Sequence, residues 1–280
     1  MKNAMQWLIV ARFEWRLSVR NRWVWTLTVL LLMLQALFLV AEMITAGADE
    51  ISGFNRMTGR LLNLNLILLP LMGLLIGGLS VSGDKEDRQW LLLTTYPLSS
   101  RQWIAGKFAG LALTFLGMIA FTYGVLGMVG YFLIPGGNAS HLLLFMAGSF
   151  ILILIFLGAG LVIGSAVDSR LETIAASVLA WFFSLFILPF AAINTASLLP
   201  SGSVGGFLVA ATLLNPTEFV RVAVIFLSGS GSVLGTPFYD LNHWFHSLNG
   251  TIFVSLYTLL YTAALVWLAG AIIQARRRRR

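Results

Sequence analysis

The 280-residue chain contains no cysteine. That excludes disulfides, thiolate-ligated zinc, iron–sulfur clusters and thiol catalysis, and it leaves the redox compartment open. Charged residues are nearly as scarce, at 10% of the chain, where soluble domains carry roughly 25%. No G-x-x-x-x-G-K-[ST] run occurs; the stretch from Gly229 to Gly235 has glycines but neither the lysine nor the spacing of a phosphate cradle. Histidines number only three. Hydrophobic residues, in contrast, make up 58% of the chain, and mean hydropathy is +0.88. A soluble protein of this size could not hide that much apolar surface. The fold class expected is all-α, a polytopic membrane protein.

About 20 apolar residues are needed to cross a bilayer as a helix. Six stretches qualify: 23–46, 61–81, 106–134, 141–167, 173–199 and 251–274. The first is too long, and lacks the cleavage site, for a signal peptide. Orientation follows from Lys and Arg. With the N-terminus in the cytoplasm, 15 of the 18 basic residues lie inside, and only Arg56, Arg60 and Arg221 lie outside. Six spans then return the C-terminus to the same side, so both termini are expected in the cytoplasm. The net charge of +7 is a topology signal rather than a nucleic-acid footprint.

Mid-span polar residues are mostly neutral: Asn63, Asn65, Thr114, Ser149, Ser184 and Asn194, with Glu42 near the outer end of the first span. Such residues more often bond to neighbouring helices than to substrate. Ion-coupled transport, intramembrane proteolysis and phosphotransfer, which need mid-depth carboxylates or a metal set, are disfavoured. Small-residue steps Gly106/Gly110, Gly124/Gly127 and Gly158/Gly160/Gly164 permit close helix packing. Asp240, His243 and His246 recur every third residue on the outer side. They are weak candidates for a copper or zinc site, the alternative being an interfacial helix anchored by Trp244 and Phe245. The nine methionines are dispersed and read as core filler.

One domain, 1–280, is expected, with charge gathered in a few places. Residues 1–22 form an interfacial elbow helix, whose Arg12, Arg16 and Arg20 make one stripe among aromatics; it is either a topological anchor or a partner contact. Residues 82–105 form a long amphipathic cytoplasmic segment. Its mixed-charge run Asp84, Lys85, Glu86, Asp87 and Arg88 precedes Trp90, Pro97 and Arg101, and Ser99-x-x-Gln102 fits a capping box that restarts a helix. This segment suits docking into a cytoplasmic partner's groove. Residues 200–250 form an outer interfacial region, whose apolar pieces 207–213 and 219–227 are too short to span. They read as interfacial or re-entrant helices, with a pair of half-spans as the alternative. Within it Asn215, Pro216, Glu218 and Arg221 are candidate contacts to an outer partner, although Glu218 and Arg221 also fit a local i,i+3 ion pair. Residues 275–280 are a basic cytoplasmic tail.

The run W-L-L-L-T-T-Y-P-L-S-S-R-Q-x-x-x-G-K after an acidic turn resembles the coupling segment of ABC export permeases of the ABC-2 type. Leu91, Leu92, Leu93, Thr94, Pro97, Arg101, Gly106 and Lys107 match that pattern; Gln89-Trp90 stands where the family has small residues. Within the family, Thr95-Tyr96-Pro97-Leu98, the Asp168…Glu172 junction followed by Ala175-Ala176-Ser177, and Leu214 to Arg221 are similar to the permeases that serve nitrous-oxide reductase maturation. The resemblance implies a homodimer of six-helix subunits in a bacterial or archaeal cytoplasmic membrane, with no cofactor in this chain. It implies two cytoplasmic ATPase subunits that bind ATP and Mg and engage 82–104, with Asp84 to Arg88, Trp90, Pro97 and Arg101 as coupling residues. It also implies a periplasmic NosD-like partner at 200–250 that handles copper, the chain itself transmitting conformational change. An ABC-2 exporter of a lipid, peptide or drug, and a non-transporting scaffold, remain as alternatives.

Overall fold

The computed structural model describes residues 2–45, 50–88, 98–133, 139–229, 231 and 247–278. Among the described residues the protein is all-helical. In chain order the helices are α1 (Lys2–Arg20), α2 (Arg22–Thr45), α3 (Glu50–Glu86), α4 (Ser100–Leu133), α5 (Ala139–Ala166), α6 (Arg170–Phe182), α7 (Leu188–Ser197), α8 (Ser201–Leu214), α9 (Pro216–Leu227) and α10 (Leu248–Arg278). A π-helical turn, Phe183–Ile187, joins α6 to α7 without interrupting the rod. Six helices are long and apolar enough to cross a membrane: 22–41, 61–86, 100–129, 142–166, 170–197 and 249–278. These match the six expected spans, and the chain is a multi-pass membrane protein with an additional N-terminal helix outside them.

Two boundaries differ from the hydropathy reading, the first through tertiary contacts and the second through a local cap. Helix α3 continues to Glu86 instead of ending near 81, because its charged last turn is neutralised by neighbouring helices; Arg88, at φ 57°, then turns the chain out of the helix. Helix α4 begins at Ser100 instead of 106. The expected capping box is formed: the Gln102 amide donates to Ser99 Oγ and the Ser99 amide to Gln102 Oε1, both at 3.2 Å. Each bond satisfies an amide that the helix itself leaves unpaired.

Helices α3 and α5 pack along a glycine seam. A Cβ on Gly164 would lie 2.2 Å from the Gly78 carbonyl oxygen, and one on Gly160 would lie 2.6 Å from that of Leu74. The backbones therefore touch, as small residues allow between helices in lipid. Beside the seam, α2, α3, α4 and α5 share a buried polar cluster. Gln35 Nε2 donates to Asn65 Oδ1 (2.7 Å), and Asn65 Nδ2 donates to Ser149 Oγ (3.0 Å) and to the Tyr123 hydroxyl. Leu69, Phe115, Ile119, Ile153 and Phe156 surround it as the main core. The rod of α6 and α7 is the least enclosed span; α6 buries only Thr173 and Ser177, while Leu179, Phe190 and Ile193 are exposed.

Helices α8 and α9 are 14 and 12 residues long, about 21 and 18 Å, each short of the ~30 Å hydrocarbon core. They meet at Asn215 with a bend of 110°. The end of α10 and the start of α6 lie together, through Arg276 and Asp168, so α7 ends on the same side from which α10 begins. A chain that must return to the side it left needs a hairpin there, and the sharp bend makes one.

Candidate functional site

The bundle end that carries most of the basic residues is tied together by two ionic junctions. The first centres on Lys107, which follows Gly106 in α4. Gly106 and Gly110 form a flat face against which α1 lies; a Cβ on Gly106 would meet Val10 Cβ at 2.6 Å, and one on Gly110 the Ala11 carbonyl oxygen at 2.5 Å. This close approach brings Glu14 of α1 over Lys107. The ammonium sits 3.0 Å from Glu14 Oε2 and 2.8 Å from Asp84 Oδ2, and it lies 5.3 Å from the Trp103 ring centre. Lys107 is 3% exposed. One buried cation thus joins the elbow helix, the end of α3 and the start of α4. Burial raises the Glu14 carboxyl above its ordinary value; Lys107 opposes that shift, and the second carboxylate, Asp84, adds to it.

The second junction joins α3, the α5–α6 turn and the end of α10. Lys85 donates to the carbonyl oxygens of Ser165 (3.1 Å) and Val167 and pairs with Asp168 at 3.5 Å. Arg276 pairs with the same Asp168 and donates to the Ala166 carbonyl oxygen. Arg170 donates its amide to Glu86 Oε2 (2.8 Å) and its guanidinium to Asp87 Oδ2 (2.6 Å). Ser169 Oγ caps α6 through the Glu172 amide (3.2 Å). Orphan carbonyls at the end of α5 are met by cations, the sign a helix C-terminus favours. Among the described residues the site holds no nucleophile paired with a base. The two junctions link helices: the first joins α1, α3 and α4, and the second joins α3, α5, α6 and α10.

The structure therefore gives the expected coupling residues two different placements. Asp84, Lys85, Glu86 and Asp87 all have partners within the chain, and Arg88 ends α3. The Arg101 guanidinium lies 5.6 Å above the Trp267 ring of α10. Trp90 and Pro97 lie outside the described residues, as do Asp240, His243 and His246. Among the described residues no group of three metal-ligating side chains occurs.

Away from this end, the α8–α9 bend docks halfway along the α6–α7 rod, at Ser184, where the π turn opens the helix. Asn215 Oδ1 accepts from the Thr217 amide (3.1 Å), capping α9, and from Ser184 Oγ (3.0 Å). Asn215 Nδ2 donates to the Ser184 carbonyl oxygen (2.8 Å), which the π turn leaves accessible. The Tyr257 hydroxyl of α10 donates to the Leu213 carbonyl oxygen (2.7 Å). Backbone that leaves a helix at membrane depth needs such partners. Asn215 and Pro216, expected as contacts to an outer partner, are buried within this chain, and the Asn215 side chain makes its bonds inside the bend. Glu218 and Arg221 are the more open pair, 2.5 Å apart as the expected i,i+3 bridge.

Glu14 and Trp267 were not singled out by the sequence. A signal for Glu14 existed: it is the sole acid of α1 and lies on the face opposite Arg12, Arg16 and Arg20. Its partner is 93 residues away, and no local pattern points to it.

Residues 8–276 match the family model of the ABC-2 family transporter protein. A probable ABC transporter permease protein NosY of Pseudomonas aeruginosa is 29% identical over 226 residues, covering 79% of this chain and 81% of that one. The protein of the same description from Stutzerimonas stutzeri is 28% identical over 233 residues, covering 81% and 84%. Six spans, an elbow helix locked onto the fourth helix through Gly106-Lys107, and a match across nearly the whole chain lead to one conclusion: this chain belongs to the ABC-2 transporter family, as a membrane permease subunit whose ATP hydrolysis resides in separate subunits.

Proposed function

We propose that the chain couples ATP hydrolysis by two cytoplasmic ATPase subunits to a periplasmic partner of NosD type, in copper-site maturation of nitrous-oxide reductase. It does so as a homodimer in the cytoplasmic membrane of a bacterium or archaeon, with both termini in the cytoplasm. The observation that carries the reading is the Lys107 junction. The segment 82–105 leaves α3 beside Asp84 and re-enters α4 beside Lys107, so a push on its tip by an ATPase is delivered to α1, α3 and α4 at once. Asp84 to Asp87 hold that base, Arg88 starts the excursion, Trp90 and Pro97 are assigned to the ATPase contact, and Arg101 rests on Trp267 of α10. Movement of the bundle reaches the other end through the π turn, where Ser184 grips the bend, and is presented to the partner by Glu218 and Arg221. The exposed apolar rod of α6 and α7 is offered as the face for the second copy. Copper is handled by the external partner.

Co-purification with the neighbouring ATPase and periplasmic gene products tests this. Replacing 89–97 by a Gly-Ser linker is expected to abolish ATPase retention while leaving the permease folded; retained ATPase would refute the coupling assignment. Unchanged assembly with the periplasmic protein after Arg221→Glu would refute the outer contact. Copper flux through permease and ATPase without the external protein would overturn the transmitting role.

A further inference from the structure

The last turn of α10 and the first turn of α4 enclose a groove of about 650 Å3 lined by Ser99, Ser100, Arg101, Gln274, Arg277 and Arg278. Among the described residues three guanidinium groups line it, and no carboxylate does. That is unlike the rest of this end, where Lys85, Lys107, Arg170 and Arg276 each have a carboxylate partner. Among the described residues no Asp or Glu lies within 4.0 Å of Arg101, Arg277 or Arg278; Arg101 rests on Trp267, and Arg277 donates only to the Leu98 carbonyl oxygen at 3.3 Å. A basic tail that served topology alone would not separate its arginines. Here Arg276 is consumed by Asp168 and the Ala166 carbonyl, while the next two turn to the groove. The groove lies at the N-terminal end of the 34-residue α4, whose dipole favours negative charge, and two serine hydroxyls add donors. Every described feature of the lining favours an anion with several acceptor oxygens.

The setting of the groove identifies the source of that anion. Trp267, under Arg101, is 57% exposed, and the same helix continues outward with exposed Leu256, Leu259 and Leu260. Tryptophan beside a basic cluster at the end of a span marks the headgroup level of a bilayer, and basic pockets between helix ends are where anionic headgroups bind. We propose that this groove binds the phosphate of an anionic phospholipid, held by Arg101, Arg277 and Arg278 with the acyl chains along α10. Ser99, Ser100 and Arg101 also belong to the segment proposed to engage the ATPase, so lipid response and ATPase retention are read separately.

The test measures the melting temperature of the purified full chain in detergent micelles containing phosphatidylglycerol, phosphatidylcholine, or millimolar inorganic phosphate without lipid. Phosphatidylglycerol is expected to raise the melting temperature, and the other two are not. Each Arg→Gln change at 101, 277 or 278 is expected to weaken the phosphatidylglycerol response by about fivefold in concentration. Because Arg101 also packs on Trp267, the pair Arg277→Gln/Arg278→Gln, both exposed, serves as the variant safe for folding, with a shift of about twenty-five-fold. A response unchanged in that pair overturns the site. An equal response to inorganic phosphate assigns a free anion and overturns the lipid. An equal loss in Arg12→Gln/Arg16→Gln/Arg20→Gln reveals bulk charge and also overturns it. Loss of ATPase retention in the pair with the lipid response intact would assign the groove to a protein partner instead.

Discussion

Replacing Lys107 by methionine keeps the volume of the side chain and deletes the one cation between Glu14 and Asp84. Each contact, at 3.0 and 2.8 Å, has a gross Coulomb energy of about 5–6 kcal/mol at an effective dielectric of 20. Desolvation offsets most of that, so the net value of the intact cluster is small. Breaking it is different, because Glu14, with a side chain 10% exposed, stays behind unpaired next to a second carboxylate. Removing one partner of a buried ion pair costs about 3–5 kcal/mol. The cluster holds two carboxylates for one cation, so Glu14→Gln leaves Lys107 its pair with Asp84 and relieves the excess negative charge. That change is expected to stay within about 1 kcal/mol of the parent. The assay is thermal unfolding in detergent followed by tryptophan fluorescence, with docking of α1 read separately by maleimide labelling of Ser18→Cys. The parent chain has no cysteine, so the label reports that one buried position. Lys107→Met should accelerate labelling strongly; Glu14→Gln should not; the combination of Lys107→Met, Glu14→Gln and Asp84→Asn should recover much of the loss. Equal damage from Lys107→Met and Glu14→Gln would refute the reasoning, since it would mean that the two carboxylates are not sharing an overloaded cation.

Glu14 also sets a pH dependence. Its folded value is raised, so the folded protein holds the proton more tightly than the unfolded chain, and stability falls as pH rises from 4.5 through the raised value. The stability advantage of Glu14→Gln over the parent should therefore be absent in acid and grow towards neutral pH, measured as melting temperature across a pH series. Gly164→Ala, whose Cβ would be 2.2 Å from the Gly78 oxygen, should force α3 and α5 apart at a cost of about 1–3 kcal/mol or more; Gly117→Ala, with nothing within 4 Å, should be neutral or gain up to ~1 kcal/mol in the same melting assay. Asn215→Ala removes a helix cap and two bonds to Ser184. It should destabilise by about 1–3 kcal/mol and raise proteolytic cleavage between α8 and α9, while Asn194→Ala, on a bond within its own exposed helix, should do neither.

The spans, the elbow helix, the capping box at Ser99 and the concentration of basic residues in a few segments could all be read from the chain alone. Each is a local property: hydropathy sums over about 20 neighbouring residues, and a capping box over four. The same locality explains the misplaced boundaries. Asp84, Lys85 and Glu86 look like loop to a hydropathy sum, but Lys107 pairs with Asp84, the Arg170 backbone amide bonds Glu86, and the Ser165 and Val167 carbonyls receive the lysine, so the helix runs on. Asn215-Pro216 reads as a break between two short helices because both residues favour turns; the neighbouring π turn, with its accessible Ser184 carbonyl, makes burying that break favourable. Which of the arginines are spent and which are left over depended wholly on packing. Arg276 and Arg277 are adjacent and chemically identical in sequence, yet one meets Asp168, 108 residues distant, and the other faces a groove whose described lining has no carboxylate. Local pattern determines what a segment is; the partner of a buried charge is decided by which helices touch, and that information exists only once the bundle is assembled.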